Sequence, residues 1–249
     1  MNQQSAEAGQ PLLVASSLTK RYRGKGGAQR DGFLAVDDVS FSVAEGTSLG
    51  IVGESGSGKT TVAKMIVGLE SATSGSISMN GDDRTRLARH ARVRRARGRD
   101  IQIVFQDPYS SLNRRQTSGN GLEEIVRLHF ELTAHEVRDR VAELASLVSI
   151  NERHLSARPG ALSGGQRQRV AIARALAAEP KLLILDEAVA ALDVSIQAQI
   201  LNLLTAIQKQ KKITYLFISH DLAVVRQITD EAIVMRHGKI VEAGRTADI

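Results

Sequence analysis

The stretch Gly53-Glu54-Ser55-Gly56-Ser57-Gly58-Lys59-Thr60 decides how this chain is read. It fits the pattern G-x-x-x-x-G-K-[ST], and its flanks fit as well. Residues 48–52 before it form a short apolar run that reads as a strand. Residues 59–69 after it read as a helix, with Val62, Met65, Ile66 and Leu69 on one face. In such a strand–turn–helix unit the glycines let the backbone wrap closely, so that successive N–H groups point at phosphate oxygens. The helix N-terminus adds a partial positive charge. Lys59 would reach the β- and γ-phosphates of a nucleotide, and the Thr60 hydroxyl would ligate Mg²⁺, with Thr61 beside it in the first turn. A chance match in a Gly/Ser loop would come without the strand and the helix.

Outward from this loop, β-branched runs alternate with helical stretches. Residues 12–18 and 33–43 read as strands, residues 24–32 as the loop between them, and residues 1–10 as a flexible polar tail. Residues 101–105 read as another strand. The stretch 121–150 reads instead as two consecutive helices. Thr133 and Glu136 form the capping-box pattern that opens the second one, and Val137, Val141, Leu144 and Val148 line one of its faces. Alternation then returns, with strand 182–185, helix 195–209, strand 213–219 and closing strands at 233–235 and 239–241. This order predicts an α/β domain over residues 11–249, a mostly parallel sheet covered on both faces, with a helical insertion at about 107–160.

Composition narrows the class. The 249 residues are 42% hydrophobic and 24% charged, which fits a soluble globular protein and excludes collagen-like or long disordered structure. No apolar run approaches the ~20 residues that a membrane-spanning helix needs. Residues 1–10 lack the basic and apolar regions of a secretory signal. The absence of cysteine excludes disulfides, thiolate catalysis and Cys-ligated metal centres. The formal charge of +6 is concentrated: from Arg84 to Arg99 there are eight arginines in sixteen residues and no acid. That run reads as a solvated helical face, and the same charge could meet phosphates or anionic lipid headgroups. Five Phe and three Tyr are too few for a surface that stacks single-stranded bases, so nucleic acid is not an expected partner.

Two more stretches carry chemistry. Leu182-Leu183-Ile184-Leu185-Asp186-Glu187 delivers two carboxylates to the C-terminal edge of a sheet, where α/β proteins bind ligands. Asp186 would hold Mg²⁺, directly or through water. Glu187 would orient or deprotonate the attacking water, a role worth roughly 10²–10⁴ in rate. Leu162-Ser163-Gly164-Gly165-Gln166 precedes a helix over 167–178. Ser163 and Gln166 fit a capping box. The same residues also make an exposed helix N-terminus with a hydroxyl and glycine amides, which is an anion site.

Leu162–Gln166, about a hundred residues after the phosphate loop and just before Leu182–Glu187, resembles the signature of the ATP-binding-cassette ATPases. The resemblance covers nearly the whole chain. Gln106, after strand 101–105, is similar to that family's glutamine loop; Ala191-Leu192-Asp193 to its D-loop; and His220, in Ser219-His220-Asp221, to its switch histidine. Tyr22 stands where the family places an aromatic against adenine, a stacking worth roughly 1–3 kcal/mol. The resemblance implies a P-loop NTPase fold of the RecA-like type, with an N-terminal antiparallel β subdomain and an inserted helical subdomain. It implies ATP and Mg²⁺ as ligands, Gln106 joining Thr60 and Asp186 at the metal. It also implies a head-to-tail dimer. Lys59, Thr60, Gln106, Asp186, Glu187 and His220 of one subunit would face Ser163, Gly164, Gly165 and Gln166 of the other across two ATPs, with Asp193 coupling the sites.

Local stretches resemble one branch of that family, the ATPases of oligopeptide, dipeptide and nickel importers. They are Ile103–Asn113, Asp186–Val189, Asp193–Gln199 and Tyr215–Leu222. The branch implies a second cassette ATPase, two permeases, an extracytoplasmic binding protein acting indirectly, and a peripheral place on the cytoplasmic face of the cell membrane. Arg114 stands where the branch usually has proline, and Ala190 where it usually has serine. Gly119-Asn120-Gly121 is unusually glycine-rich for its place. Such subunits usually continue past the segment matching Gly238–Gly244, so the end at Ile249 reads as a short or truncated variant. The competing reading is a soluble cassette ATPase of DNA repair or translation. A lack of cysteine, of sustained heptads and of a second cassette speaks against it.

Overall fold

A computed structural model describes residues 11–23 and 32–249. The tail 1–10 and nearly all of the loop expected at 24–32 lie outside the described residues. In chain order the strands are β1 (Pro11–Tyr22), β2 (Phe33–Ala44), β3 (Ser48–Val52), β4 (Ser74–Met79), β5 (Asp82–Asp83), β6 (Ile101–Val104), β7 (Leu182–Asp186), β8 (Thr214–Ser219), β9 (Glu231–Arg236) and β10 (Lys239–Arg245). The helices are α1 (Lys59–Val67), α2 (Ala91–Asp100), α3 (Pro108–Ser111), α4 (Ser118–His129), α5 (Ala134–Leu147), α6 (Glu152–Ser156), α7 (Gly164–Leu176), α8 (Val194–Lys211) and α9 (Leu222–Ile228). They sort into two compact units, one running up to Arg89 and resuming at Thr214, the other spanning His90–Ile213.

The first unit carries two kinds of strand pairing. β1 pairs antiparallel with β2 and with β4, and β4 pairs with β5. β3 is sandwiched in parallel between β8 and β9, and all five of its residues are buried. A strand covered on both faces needs such a continuous apolar run, which is why Ser48–Val52 shows no alternation. β9 turns into antiparallel β10 through His237 and Gly238, both at positive φ (48° and 82°), the backbone of a tight two-residue hairpin. The helix expected over 59–69 stops at Val67. Gly68, at φ 80°, caps it, its amide bonding back to the carbonyls of Lys64 and Met65. Leu69 is therefore not on the buried face of α1 but 59% exposed beyond its end.

In the second unit β6 and β7 pair in parallel. The two helices expected within 121–150 are α4 and α5. The Thr133 amide and hydroxyl both donate to the Glu136 carboxylate at 2.7 Å, completing the expected capping box. Those two bonds hold the Glu136 carboxyl below its ordinary pKa. Val137, Val141, Leu144 and Val148 are all buried, as their spacing predicts.

Candidate active site

The phosphate loop leaves the end of β3 and closes at Gly58, which stands at φ 105° as the N-cap of α1. A β-carbon there would lie 2.4 Å from the Ala35 carbonyl oxygen, so only glycine fits. Unlike α4, α5, α7 and α8, helix α1 receives no side-chain cap. No side chain of the turn before it occupies the start of this helix. The Lys59 ammonium, at a buried position, donates to the carbonyls of Gly53 (2.7 Å) and Glu54 (2.9 Å). Ser57 Oγ is buried and has no hydrogen-bond partner among the described residues. The β9–β10 hairpin braces the loop from outside, Gly238 donating its amide to the Ser57 carbonyl at 3.1 Å. Glu54, Ser55, Gly56 and Thr60 are exposed, and Thr61 is half-buried.

Strand register brings a second residue beside this loop. Val52 of β3 is the partner of Ser219 of parallel β8, so Gly53 and His220 leave neighbouring strands at the same edge. His220 is exposed. Its loop is fixed by Ser219 Oγ, which accepts from the Asp221 amide at 3.0 Å, and by Asp221, whose carboxylate caps α9. Tyr22 ends β1, half-buried, with the Lys20 ammonium 5.0 Å from its ring centre.

The second unit repeats the arrangement. Val104 of β6 is the partner of Leu185 of β7. Gln106 therefore leaves the same edge as Asp186 and Glu187. Asp186 is buried and Glu187 half-buried. Glu187 adopts a positive φ of 51°, an unusual backbone for a non-glycine residue, directly where the strand ends. A groove of about 470 Å³ gathers Gln106, Tyr109, Gly164, Arg167 and Leu192. The glutamine segment, the start of α7 and the turn before Asp193 thus share one wall.

At the start of α7 the capping box is complete. The Gln166 amide donates to Ser163 Oγ at 3.3 Å, and the Ser163 amide donates to the Gln166 side-chain oxygen at 2.8 Å. The box does not exclude an anion site. Ser163 Oγ is used as an acceptor, which leaves its proton to give, and the amides of Gly164 and Gly165 stand outside the box. Asp193 has a comparable double character, its carboxylate capping α8 through the Ile196 amide at 3.0 Å. Two neighbours escaped the sequence reading. His154 Nε2 lies 3.0 Å from Gln166 Nε2, and Lys20 lies against Tyr22. Neither belongs to a motif, and a histidine or lysine of this kind reads in sequence as surface.

Among the described residues no group of three or more His, Asp and Glu forms a cage for a metal. The hydroxyl of Thr60 and the carboxylate of Asp186 are hard oxygen donors of the kind Mg²⁺ prefers, and Mg²⁺ commonly completes its shell with substrate phosphates and water. Each of these donors, taken within its own unit, therefore fits the chemistry of magnesium that arrives with a nucleotide.

Residues 36–190 match the family model described as ABC transporter. The chain belongs to the ABC transporter family. This ATP-binding-cassette ATPase is 46% identical over 219 residues to the oligopeptide transport ATP-binding protein OppF of Lactococcus lactis, covering 88% of this chain and 68% of that one. It is 42% identical over 247 residues to the dipeptide transport ATP-binding protein DppF of Escherichia coli, covering 98% and 73%. Among solved structures it resembles the ATP-binding cassette MJ0796 in a dimeric post-hydrolysis state bound to ADP and Pi, with TM-score 0.82 at 28% identity over 94% and 98% of the two chains. It also resembles cbiO1 of Clostridium perfringens, part of the transporter complex cbiONQ, with TM-score 0.83 at 28% identity over 96% and 90%. The family membership and α/β class expected from the sequence are borne out. No helix among the described residues is long and apolar enough to cross a membrane.

Proposed function

We propose that this ABC ATPase is the energising subunit of a peptide importer, working as one of two cassettes that close head to tail on ATP. The observation that carries the reading is its 46% identity, over 88% of its length, to an oligopeptide transport ATP-binding protein. Relatives of that kind make the DNA-repair or translation alternative the weaker reading.

Lys59 and the uncapped amides at the start of α1 hold the β- and γ-phosphates. Tyr22 stacks on the adenine. Glu187 takes a proton from, or orients, the attacking water, and His220 holds the γ-phosphate. Gln106 senses the γ-phosphate side of the site from its exposed loop. Thr60, Gln106 and Asp186 hold Mg²⁺, which when bound offsets charge on the phosphate oxygens. Ser163, with the amides of Gly164 and Gly165, donates to the γ-phosphate of the opposite cassette, and Asp193 couples the two sites. The contacts of Ser163 and its neighbouring amides to the γ-phosphate of the opposite cassette exist only in the closed dimer, so ATP favours closure and hydrolysis releases it. Two permeases receive this motion at the cytoplasmic face of the membrane, and an extracytoplasmic binding protein delivers peptide to them.

The test is affinity purification of the tagged chain from its native membranes. Recovery of two permeases and a second cassette, and uptake of labelled di- or oligopeptide by vesicles holding that complex with internal ATP, is the expected result. Recovery with ribosomes or nucleic acid and no integral membrane protein would overturn the transport reading.

A further inference from the structure

The arginine run is the one sequence feature that the ATPase reading leaves unused. It also accounts for the whole positive charge of the protein. Outside residues 84–99, 25 Lys and Arg stand against 27 Asp and Glu, so the rest of the chain is slightly acidic. The charge is carried outward. Helix α2 buries none of its residues. Arg92, Arg94 and Arg95 are exposed, and among the described residues no carboxylate lies within ion-pair distance of them. Towards the end of the helix Arg99 lies 3.8 Å from a Glu179 carboxylate oxygen, while the three arginines before it keep their charge for solvent or a ligand.

Its surroundings are basic and apolar together. Arg99, one turn beyond Arg95, lies 4.5 Å from the Phe130 ring centre, and this fixes the end of α2 beside the end of α4. Burial, reinforced by the nearby Arg99 and Arg95 guanidiniums, holds the His129 imidazole below its ordinary pKa, which favours the neutral ring and places Arg95 as well as Arg99 near the end of α4. Leu128 and Leu132, on either side of His129–Phe130 in sequence, are 41% and 36% exposed, and Val93 of α2 is 41% exposed. Guanidinium groups interleaved with exposed aliphatic side chains fit the boundary of a bilayer, where arginines meet headgroup phosphates and leucines enter the acyl edge. A nucleic-acid surface would use the charge and leave the leucines in water.

We infer that exposed helix α2, carrying Arg92, Arg94 and Arg95 with Val93 among them, docks on anionic lipid headgroups together with the exposed Leu128 and Leu132 at the end of α4. This contact holds the chain at a membrane directly, apart from any permease. It does not depend on ATP turnover or on the peptide-import reading.

Co-sedimentation of the full chain with vesicles tests it. One set is phosphatidylcholine alone; the other contains about one-third phosphatidylglycerol, enough for a strongly negative surface. Binding only to the second set, falling steeply as salt is raised, is expected. One basic side chain at a charged surface is worth about fivefold in partitioning, so the triple variant Arg92→Gln, Arg94→Gln, Arg95→Gln should lose roughly a hundredfold. Because α2 buries nothing, this variant should keep its circular dichroism and its ATP turnover in solution. Leu128→Ser with Leu132→Ser should weaken the binding that survives high salt. No preference for the anionic vesicles, or full binding by the triple variant, would overturn the inference. So would a short DNA duplex that displaces the chain from the vesicles, since the face would then be a nucleic-acid surface.

Discussion

The ammonium of Lys20 lies 5.0 Å from the centre of the Tyr22 ring, while it donates to the Ser71 carbonyl at 2.7 Å and pairs with Glu70 at 2.9 Å. Glu70 and Ser71 follow the end of α1, so Lys20 ties the proposed adenine platform to the helix that carries the phosphate loop. Lys20 is largely buried, and removing its charge frees the ring and strands Glu70. A cation–π contact of this kind is worth about 0.5–2 kcal/mol. Lys20→Met should therefore raise KM for ATP about 3–10-fold with kcat little changed, which steady-state kinetics will show. Equal loss in kcat would mean that Lys20 serves the fold and not the platform.

Glu187 stands at positive φ at the end of β7, immediately after buried Asp186. If it is the general base, Glu187→Gln keeps the shape and removes the proton acceptor. Turnover should fall by about 10²–10⁴. Affinity for ATP should persist, and a long-lived ATP-bound dimer should accumulate, visible by size-exclusion chromatography with and without ATP. Unchanged turnover would remove Glu187 from the mechanism.

How far the sequence discloses this molecule depends on how strict each local requirement is. The phosphate loop was legible because Gly58 sits where no β-carbon fits, and β3 and β7 because strands covered on both faces need unbroken apolar runs. β4 was not legible. Ser-Gly-Ser-Ile-Ser-Met buries only Ile77 and Met79, and its pairing with β1 supplies what its composition lacks. α9 escaped because Leu222-Ala-Val-Val is continuously apolar, and only the cap from Asp221 marks it as a helix. The candidate site residues are legible through motifs. Lys20 and His154 belong to none, and their importance rests on tertiary contacts that no spacing encodes.

Two glycines of the phosphate loop should respond differently to alanine. Gly56 has φ 81°, and a β-carbon there would meet nothing within 4 Å. Gly58 has φ 105° and would place that carbon against the Ala35 carbonyl oxygen. Gly56→Ala should cost about 1 kcal/mol of backbone strain and leave nucleotide binding measurable. Gly58→Ala should displace the loop from β2 and lower ATP affinity by more than tenfold, checked by isothermal titration with parallel thermal melts.

Burial raises the pKa of the Tyr215 phenol well above its ordinary range. In the unfolded chain a tyrosine ionises near pH 10. The neutral form is therefore favoured in the folded state: this stabilising difference is intact below about pH 10 and is lost as pH rises further. Tyr215→Phe should reduce the steepness of the alkaline fall in stability, by up to about 1.4 kcal/mol per pH unit, in denaturant titrations above pH 10. Identical alkaline profiles would show that Tyr215 does not ionise on unfolding in that range.

At the signature turn, a β-carbon on Gly165 would lie 2.6 Å from Cγ2 of Ile196, with Ile196 in the first turn of α8 just after Asp193. Gly165→Ala must therefore push α7 and α8 apart at the two N-termini that carry Ser163 and Asp193. The clash is with the branched carbon of a side chain and not with backbone, so it is removable. Ile196→Ala, or Ile196→Leu, which lacks the branch at Cβ, opens the needed space. Gly165→Ala alone should lower thermal stability and abolish ATP-dependent dimer formation. Adding Ile196→Ala should recover dimer formation, although the lost methylenes keep stability below that of the parent. Recovery would show that Gly165 is glycine for helix packing. If the double variant regains stability against its single parent but still forms no dimer, the open face of Gly165 is itself needed by the opposite cassette.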